Sequence, residues 1–288
     1  KTLNTDIFSV GGSNPVFSSA PYLSDGGIHL RDVLSEEDLN HLRTFLNKVK
    51  GRYILLKSRF PLMEPGENVA IDKSYFTFSL DLTAGSNHIW ENVIRSKVRN
   101  QTRNGLSREP RIRTGGLELL DDFYRVFSTC MRDLGTPVYG KKFFSLILEE
   151  FGDQGEIALM DSPNMGVVSG ALLLTCGNTM FHPYAVTRKN ALPLSLNNAF
   201  YWKLIEHACE KNLRAFDMGR SHQNQGTFQY KKSWEARPIQ LYYNYIFGQE
   251  IKIPSFETRQ IQLATRFWKK LPLFLTNLVG PRLIRRVF

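Results

Sequence analysis

The order of elements between residues 156 and 247 constrains the fold more than any other feature of the chain. Apolar runs at 156–161, 166–175 and 179–186 have the length and turn-bounded spacing of strands, and the Cys176-Gly177-Asn178 turn closes the last two into a hairpin. A helical period follows at 196–211, then a short strand at 214–218, a polar loop and a strand at 239–247. Strands and helices interleaved in this way predict an α/β domain on a mixed, mostly antiparallel sheet flanked by helices.

Upstream, residues 1–30 read as loops and short edge strands. Ser35-Glu36-Glu37-Asp38 has the pattern of a capping box, and it introduces a helix with Leu39, Leu42, Phe45, Leu46 and Val49 on one face. Strands are predicted at 52–59 and 75–82. Residues 89–104 read as one helix, with Trp90, Ile94 and Val98 as its apolar seam and Arg95, Arg99 and Arg103 as a basic stripe at four-residue spacing. Residues 110–116 break the pattern, and helices resume at 117–134 and 141–151. The expected organisation is a partial first unit at 1–88, a second unit at 89–250 and a basic amphipathic tail at 251–288.

The 288 residues carry a formal net charge of +10, which implies an anionic partner: nucleic acid, a phosphate-bearing substrate or a membrane surface. Cations gather at 95–113 and again after Glu257, where no acid follows, and arginine leads both clusters. Within the tail, 262–288 interleaves these cations with Phe267, Trp268, Leu271, Phe274 and Leu278. Such a stretch either lies on an anionic membrane or packs on the domain with its basic face in water. Cys130, Cys176 and Cys209 lie far apart without a ligand pattern, so neither a disulfide framework nor a metal site is expected. No apolar run approaches the roughly 18 residues of a membrane span. A cytoplasmic setting is expected, with peripheral attachment at the inner face of the membrane left open.

Residues 216–234 carry the chemistry. An apolar lead-in breaks at Gly219, a polar loop reaches Gly226, and an aromatic run follows, read as extended with Lys231 and Lys232 on opposite faces. This is a way to present cations and backbone donors at a sheet end, where anions are held. The segment resembles the F-D-x-G-R-S-x-x-x-x-G-T-x-x-F/Y-K-x-x-W signature of the FemAB-like acyltransferases, relatives of the GNAT superfamily. Val98 to Asn104, the hairpin strand Val168 to Leu174 and Pro193-Leu194-Ser195 extend the resemblance. The tail from Leu271 to Arg282 is similar to the end of FemAB-related proteins associated with PEP-CTERM/exosortase exopolysaccharide loci. One departure is Glu235, where the family often has glycine.

The resemblance implies a tandem GNAT arrangement with a degenerate or truncated first unit. It also implies transfer of an acyl or aminoacyl group to an amine of a cell-envelope, peptidoglycan or exopolysaccharide precursor. Such transfer passes through a tetrahedral oxyanion, so donors aimed at that charge matter more than a protein nucleophile. Lys231 takes the position of the family's motif lysine, for the oxyanion or a substrate phosphate; as residue chemistry alone it is equally a surface lysine. Arg220 and Ser221, with Gly226 and Thr227, are candidates to hold a phosphate or carboxylate, unless Arg220 pairs with Asp217. Asp217 orients Arg220, accepts the amine proton or anchors the loop. His182 and Tyr184 leave the hairpin where either could relay a proton. Arg99 and Arg103 either bind a nucleotide, tRNA or glycan phosphate or form a solvated face. The loop 187–195 lacks the glycines of a diphosphate cradle, although Arg188 could attract an anion. No tightly bound cofactor is expected, and aminoacyl-tRNA or a thioester of CoA or acyl-carrier protein would serve as donor. A CoA-dependent N-acyltransferase on an amino sugar and an inactive membrane- or nucleic-acid-bound scaffold are the alternatives.

Overall fold

The computed structural model describes residues 4–5, 8–10, 15–20, 23–26, 28–29, 34–66, 68–248 and 259–284. The boundary expected between 250 and 251, and residues 285–288 of the tail, lie outside the described residues. In chain order the first elements are β1 (Asn4–Thr5), β2 (Phe8–Val10), β3 (Val16–Ser18), β4 (Ile28–His29), α1 (Glu36–Lys48), β5 (Tyr53–Ser58), β6 (Val69–Asp72) and β7 (Tyr75–Asp81). After α2 (Gly85–His88) and a π turn (Ile89–Val93) come α3 (Ser96–Leu106), β8 (Arg111–Gly115), α4 (Leu120–Leu134) and α5 (Lys141–Phe151). Then follow β9 (Gly155–Ser162), β10 (Gly166–Cys176), β11 (Thr179–Thr187), α6 (Leu196–Glu210), β12 (Ala215–Asp217), β13 (Ser221–His222) and α7 (Gly226–Ser233). The last are β14 (Arg237–Gln240), β15 (Tyr242–Phe247), α8 (Arg259–Trp268) and α9 (Leu273–Ile284).

Two main sheets result. The five-stranded sheet runs β2-β3-β5-β15-β6, and the eight-stranded sheet runs β13-β7-β12-β11-β10-β9-β8 with β14 also on β7. Helix α1 starts as its sequence dictates: the Ser35 hydroxyl accepts from the Asp38 amide, and the Asp38 carboxylate accepts from the Ser35 amide. In the larger sheet, α6 covers one face over Phe200, Ile205, Phe216 and Met180, and α4 and α5 cover the other over Phe123, Phe127 and Phe144.

Four local expectations are corrected. Residues 89–104 do not form one helix, because Ile94 and Arg95 are extended (ψ 131° and 146°) between the π turn and α3. The Arg99 Nη1 bonds the Trp90, Glu91 and Ile94 carbonyls that the break leaves open. Residues 111–115 are not merely a break but the edge strand β8, tied to β9 by Arg113 and Asp161 at 2.7 Å. The aromatic run after Gly226 is helix α7, with Phe228, Lys231 and Trp234 turned inward at three-residue spacing. Strand 239–247 is two strands in different sheets.

That last break interlocks the halves of the chain. The Gln240 Nε2 donates to the carbonyls of Lys73, Tyr75 and Leu241 at 2.7, 2.9 and 2.9 Å, fixing the point where the chain changes sheets. Strand β7, from the expected first unit, lies inside the larger sheet against β12, β13 and β14, while β15 lies between β5 and β6. Strand pairing therefore crosses the boundary expected at residue 88. In the tail, α8 and α9 bury Trp268, Thr276, Gly280 and Ile284 while their other faces stay in solvent.

Candidate active site

Strands β11 and β12 run parallel and pair only from Thr179 to Phe181 and Ala215 to Asp217, so the remainder of β11 parts from its neighbour. A bulge accompanies the split: Leu172 faces Tyr184 and Leu174 faces Phe181, leaving His182 and Pro183 opposite the single Leu173. The extra residue reverses the side-chain alternation. His182 consequently packs against Tyr201 and Phe216 on the α6 side, whereas Tyr184 packs against Phe127, Tyr139 and Phe144 on the α4 side. The structure does not bring this pair together.

A cavity of about 510 Å³ opens beside Pro183, Tyr184, Ala185 and Val186 and reaches across to the five-stranded sheet. Its walls hold Tyr53, Tyr75, Tyr139, Tyr184, Tyr243 and Tyr245, with Phe127, Met131, Leu134 and Ile284 towards α4 and α9. Among the described residues, Lys57 and Arg220 are its charged lining residues, and no carboxylate joins them. Arg220 lies 4.8 Å from the Tyr75 ring centroid and 5.8 Å from that of Tyr243, and it donates to the Tyr243 hydroxyl at 2.8 Å. Tyr243 in turn donates to the Ser24 carbonyl at 2.9 Å. A guanidinium has five N–H donors; the bond to Tyr243 is the one side-chain hydrogen bond of Arg220 among the described residues, and it orients the group while leaving other donors for a ligand.

The loop that carries Arg220 is fixed from behind. Lys231, buried in α7, donates to the carbonyls of Gly219 and Arg220, both at 2.9 Å. Burial, then the neighbouring Arg220 charge, lower its pKa to about 7 against the pull of Asp217. Its ammonium is held by backbone and does not line the cavity. Gly219 turns at φ +70°, and a side chain there would approach the His182 carbonyl to 3.2 Å. Asp217 is fully engaged, accepting from Thr77 at 2.5 Å, the Gly219 amide at 2.8 Å and Arg59 at 2.9 Å. It anchors the loop, and its ion partner is Arg59 rather than Arg220.

The other candidates are dispersed. His182 is buried, its Nε2 has no partner, and burial followed by the Lys231 charge lower its pKa to about 3, so the ring is neutral. Ser221 pairs with Phe76 in the sheet and turns its hydroxyl into the interior. Gly226 and Thr227 begin α7 in solvent. Arg99 caps carbonyls, Arg103 lies over the Trp90 ring at 5.4 Å and Arg95 pairs with Glu235, so the basic stripe is divided among local tasks. Arg188 lines a separate cleft with Thr129, Asp133, Lys189 and Asn190. Sequence reasoning named Tyr184 and Arg220 but missed Lys57, Arg59 and the other five tyrosines of the cavity. The alternating Tyr243 and Tyr245, in a strand with no polar outer face, were the available signal.

Residues 92–232 match the family described as "Acetyltransferase (GNAT) domain". Among solved structures the chain is similar to FemX, with 12% identity, 85% of each chain covered and a TM-score of 0.61. It is also similar to the C-terminal domain of a putative lysylphosphatidylglycerol synthetase from Agrobacterium fabrum (10% identity, 85% of this chain and 81% of that one, TM-score 0.58). L-PGS from Bacillus licheniformis aligns over 93% of this chain and 90% of its own at 13% identity and a TM-score of 0.55. No curated protein matches the chain. The whole chain has the expected α/β GNAT-like fold, and the protein is an acyltransferase.

In the GNAT domain, the split between β11 and β12 is the opening at which the cavity forms. The loop before α6 does not suit a diphosphate. It winds into a 3-10 turn (Lys189–Leu194), and amides that could face an anion bond its own carbonyls: Ala191 to Arg188, Ser195 to Leu192, and Asn198 and Ala199 to Ser195. Ser195 takes the left-handed conformation at φ 58°, and Leu196 behind it is fully buried. Residues 187–195 therefore do not form the glycine-rich cradle of a CoA diphosphate.

Proposed function

We propose that the protein transfers an acyl or aminoacyl group to an amine on a phosphate-bearing cell-envelope precursor, and that the cavity between the sheets holds that precursor. The observation that carries this reading is Arg220, a cation fixed by Tyr243 and lining a cavity in which no carboxylate stands among the described lining residues. In that environment it attracts an oxyanion and presents a planar edge suited to phosphate. Six tyrosine rings offer apolar faces and hydroxyl edges, a lining suited to a sugar or nucleotide attached to the phosphate. The similarity to FemX and to a putative lysylphosphatidylglycerol synthetase favours a cell-envelope acceptor.

An extended donor arm would lie along Pro183 to Val186, where β11 has lost its parallel partner and its backbone is available for pairing. The amine nitrogen bonds to the donor carbonyl carbon, the C–O or C–S bond breaks, and the amine proton leaves with the alcohol or thiol. Lys231 acts as a positioning residue, holding the carbonyl of Arg220 so that the guanidinium faces the cavity. Because the diphosphate cradle is missing, aminoacyl-tRNA or a carrier-protein thioester is preferred to acetyl-CoA.

The test is a transfer assay on the full chain, read by product mass. It combines aminoacyl-tRNA and acyl thioesters with nucleotide-linked peptidoglycan precursors and phosphorylated amino sugars. Arg220→Ala is expected to raise the acceptor KM with little change in kcat. Equal use of phosphate-free acceptors, or an unchanged KM in the variant, would remove the reading.

A further inference from the structure

Helices α8 and α9 present unusual surfaces. In α8, Leu263 and Phe267 stand four residues apart and are 55% and 66% exposed; in α9, Phe274 and Leu278 repeat the spacing at 69% and 62%. Isolated exposed apolar residues are ordinary, but two consecutive helices that each hold a pair of large apolar side chains in water are not. The opposite faces are genuinely packed. Trp268 is buried, and Gly280 lies so close to Val138 that a Cβ would meet its amide nitrogen at 3.0 Å. The exposed stripes are thus held outward by a docked inner face.

Arg259, Arg266, Lys269, Lys270 and Arg282 flank these stripes, all exposed and none in an ion pair among the described residues. No acid occurs after Glu257. The patch also meets the cavity: Ile284 of α9 and Leu134 of α4 line it, Leu134 is itself 63% exposed, and the adjoining Gly135 packs on Thr265 of α8 and on Lys269 just beyond it.

The geometry points to α8 and α9 as a docking surface for an anionic lipid bilayer, seated at the α4 edge of the cavity. Large aliphatic and aromatic side chains enter the headgroup boundary, and the flanking cations meet anionic headgroups. Aliphatic Leu263 and Leu278 at the crests favour lipid over nucleic acid, which offers phosphates and stacking faces but no apolar layer. Docking at this edge brings the apolar side of the cavity, at Phe127, Met131 and Leu134, next to the bilayer, where a lipid-borne substrate would enter.

The experiment is flotation of the full chain with vesicles of phosphatidylcholine alone or mixed with phosphatidylglycerol, across a salt series. Binding is expected only with the anionic lipid and is expected to weaken as salt rises. Lys269→Glu with Lys270→Glu should lower partitioning by at least about fivefold per charge. Phe274→Ser with Leu278→Ser should lower it at constant charge; these side chains lie in water, so an unchanged far-UV spectrum and melting temperature accompany the loss. Equal partitioning onto neutral vesicles, insensitivity to either pair, or displacement from vesicles by RNA at the same salt would overturn the proposal. Transfer to a water-soluble acceptor reads the acyltransfer reading separately, because neither pair touches Arg220.

Discussion

Two buried lysines, one in each sheet system, do the same local job with different consequences. Lys57 in β5 donates to the carbonyls of Ala20 and Leu23 at 2.9 and 3.0 Å, and Lys231 in α7 donates to those of Gly219 and Arg220. Burial lowers both to a pKa of about 7, and Arg220 adds to the lowering in each case. They differ in what they face. Lys57 lines the cavity and lies 5.4 Å from the Tyr243 ring, while Lys231 stands behind the loop. Arg220 is therefore held from two directions: Lys231 fixes its backbone, and the segment that Lys57 fixes supplies the Ser24 carbonyl to Tyr243, which orients its guanidinium. The same clamp is a structural device in one unit and part of the ligand surface in the other.

The comparison breaks most severely at its shared target. Arg220→Ala should cost about 2–3 kcal/mol of acceptor binding, on the order of a hundredfold in kcat/KM, measured by initial rates over an acceptor series. Arg220→Lys should recover only part of that loss, because an ammonium cannot make the planar paired contact. Replacing the clamps separates them. Lys231→Met leaves two interior carbonyls without a donor and should destabilise the fold by about 2 kcal/mol in denaturant titration. Lys57→Met should cost a similar amount of stability and in addition weaken anion binding, measured with inorganic phosphate as the probe.

The two lysines should also act together in the pH dependence of stability. Each has a folded pKa near 7 against an unfolded value of 10.5, so between these values the unfolded chain binds more protons. Stability then rises with pH across that window, by up to about 1.4 kcal/mol per pH unit for each lysine. The rise ends near pH 10, where unfolded tyrosines ionise before Tyr201 and Tyr245, whose pKa values burial pushes up. Chemical denaturation over a pH series should show the slope, and each Lys→Met variant should reduce it. The smallest effect is expected at Glu235, which adopts φ +60° after α7 and pairs with Arg95. Glu235→Gly relieves the left-handed strain but loses the ion pair, so a change within about 1 kcal/mol is expected in thermal unfolding.

The sequence disclosed what depends on near neighbours. The capping box at Ser35, the meander of β9 to β11 and helices α4 to α6 follow from local period and turn chemistry, and the structure keeps them. Glu235 showed the same legibility from the other side: the glycine that relatives favour there marks a left-handed turn, and the turn is present. Helix α7 was hidden because its alternating aromatic residues imitate a strand, while the inward spacing of Phe228, Lys231 and Trp234 becomes meaningful only against Phe76 and Phe78. The partners of the loop were beyond local reading altogether. Asp217 is engaged by Thr77 and Arg59, 140 and 158 residues earlier in the chain. The cavity is assembled in the same way, from Leu23 to Ile284, and no window of sequence contains it.

The exchange of β7 and β15 between the sheets bears on how the molecule is made. Strand β7 leaves the ribosome ahead of β12, β13 and β14, all of its neighbours in the larger sheet, and β5 likewise precedes β15. Such pairing raises contact order and leaves unpaired strand edges waiting during synthesis, when they are open to misassociation. The larger sheet lacks a strand until the chain has been made through Gln240, and the smaller one until Phe247, so a fragment cut between the two units retains two unfinished sheets.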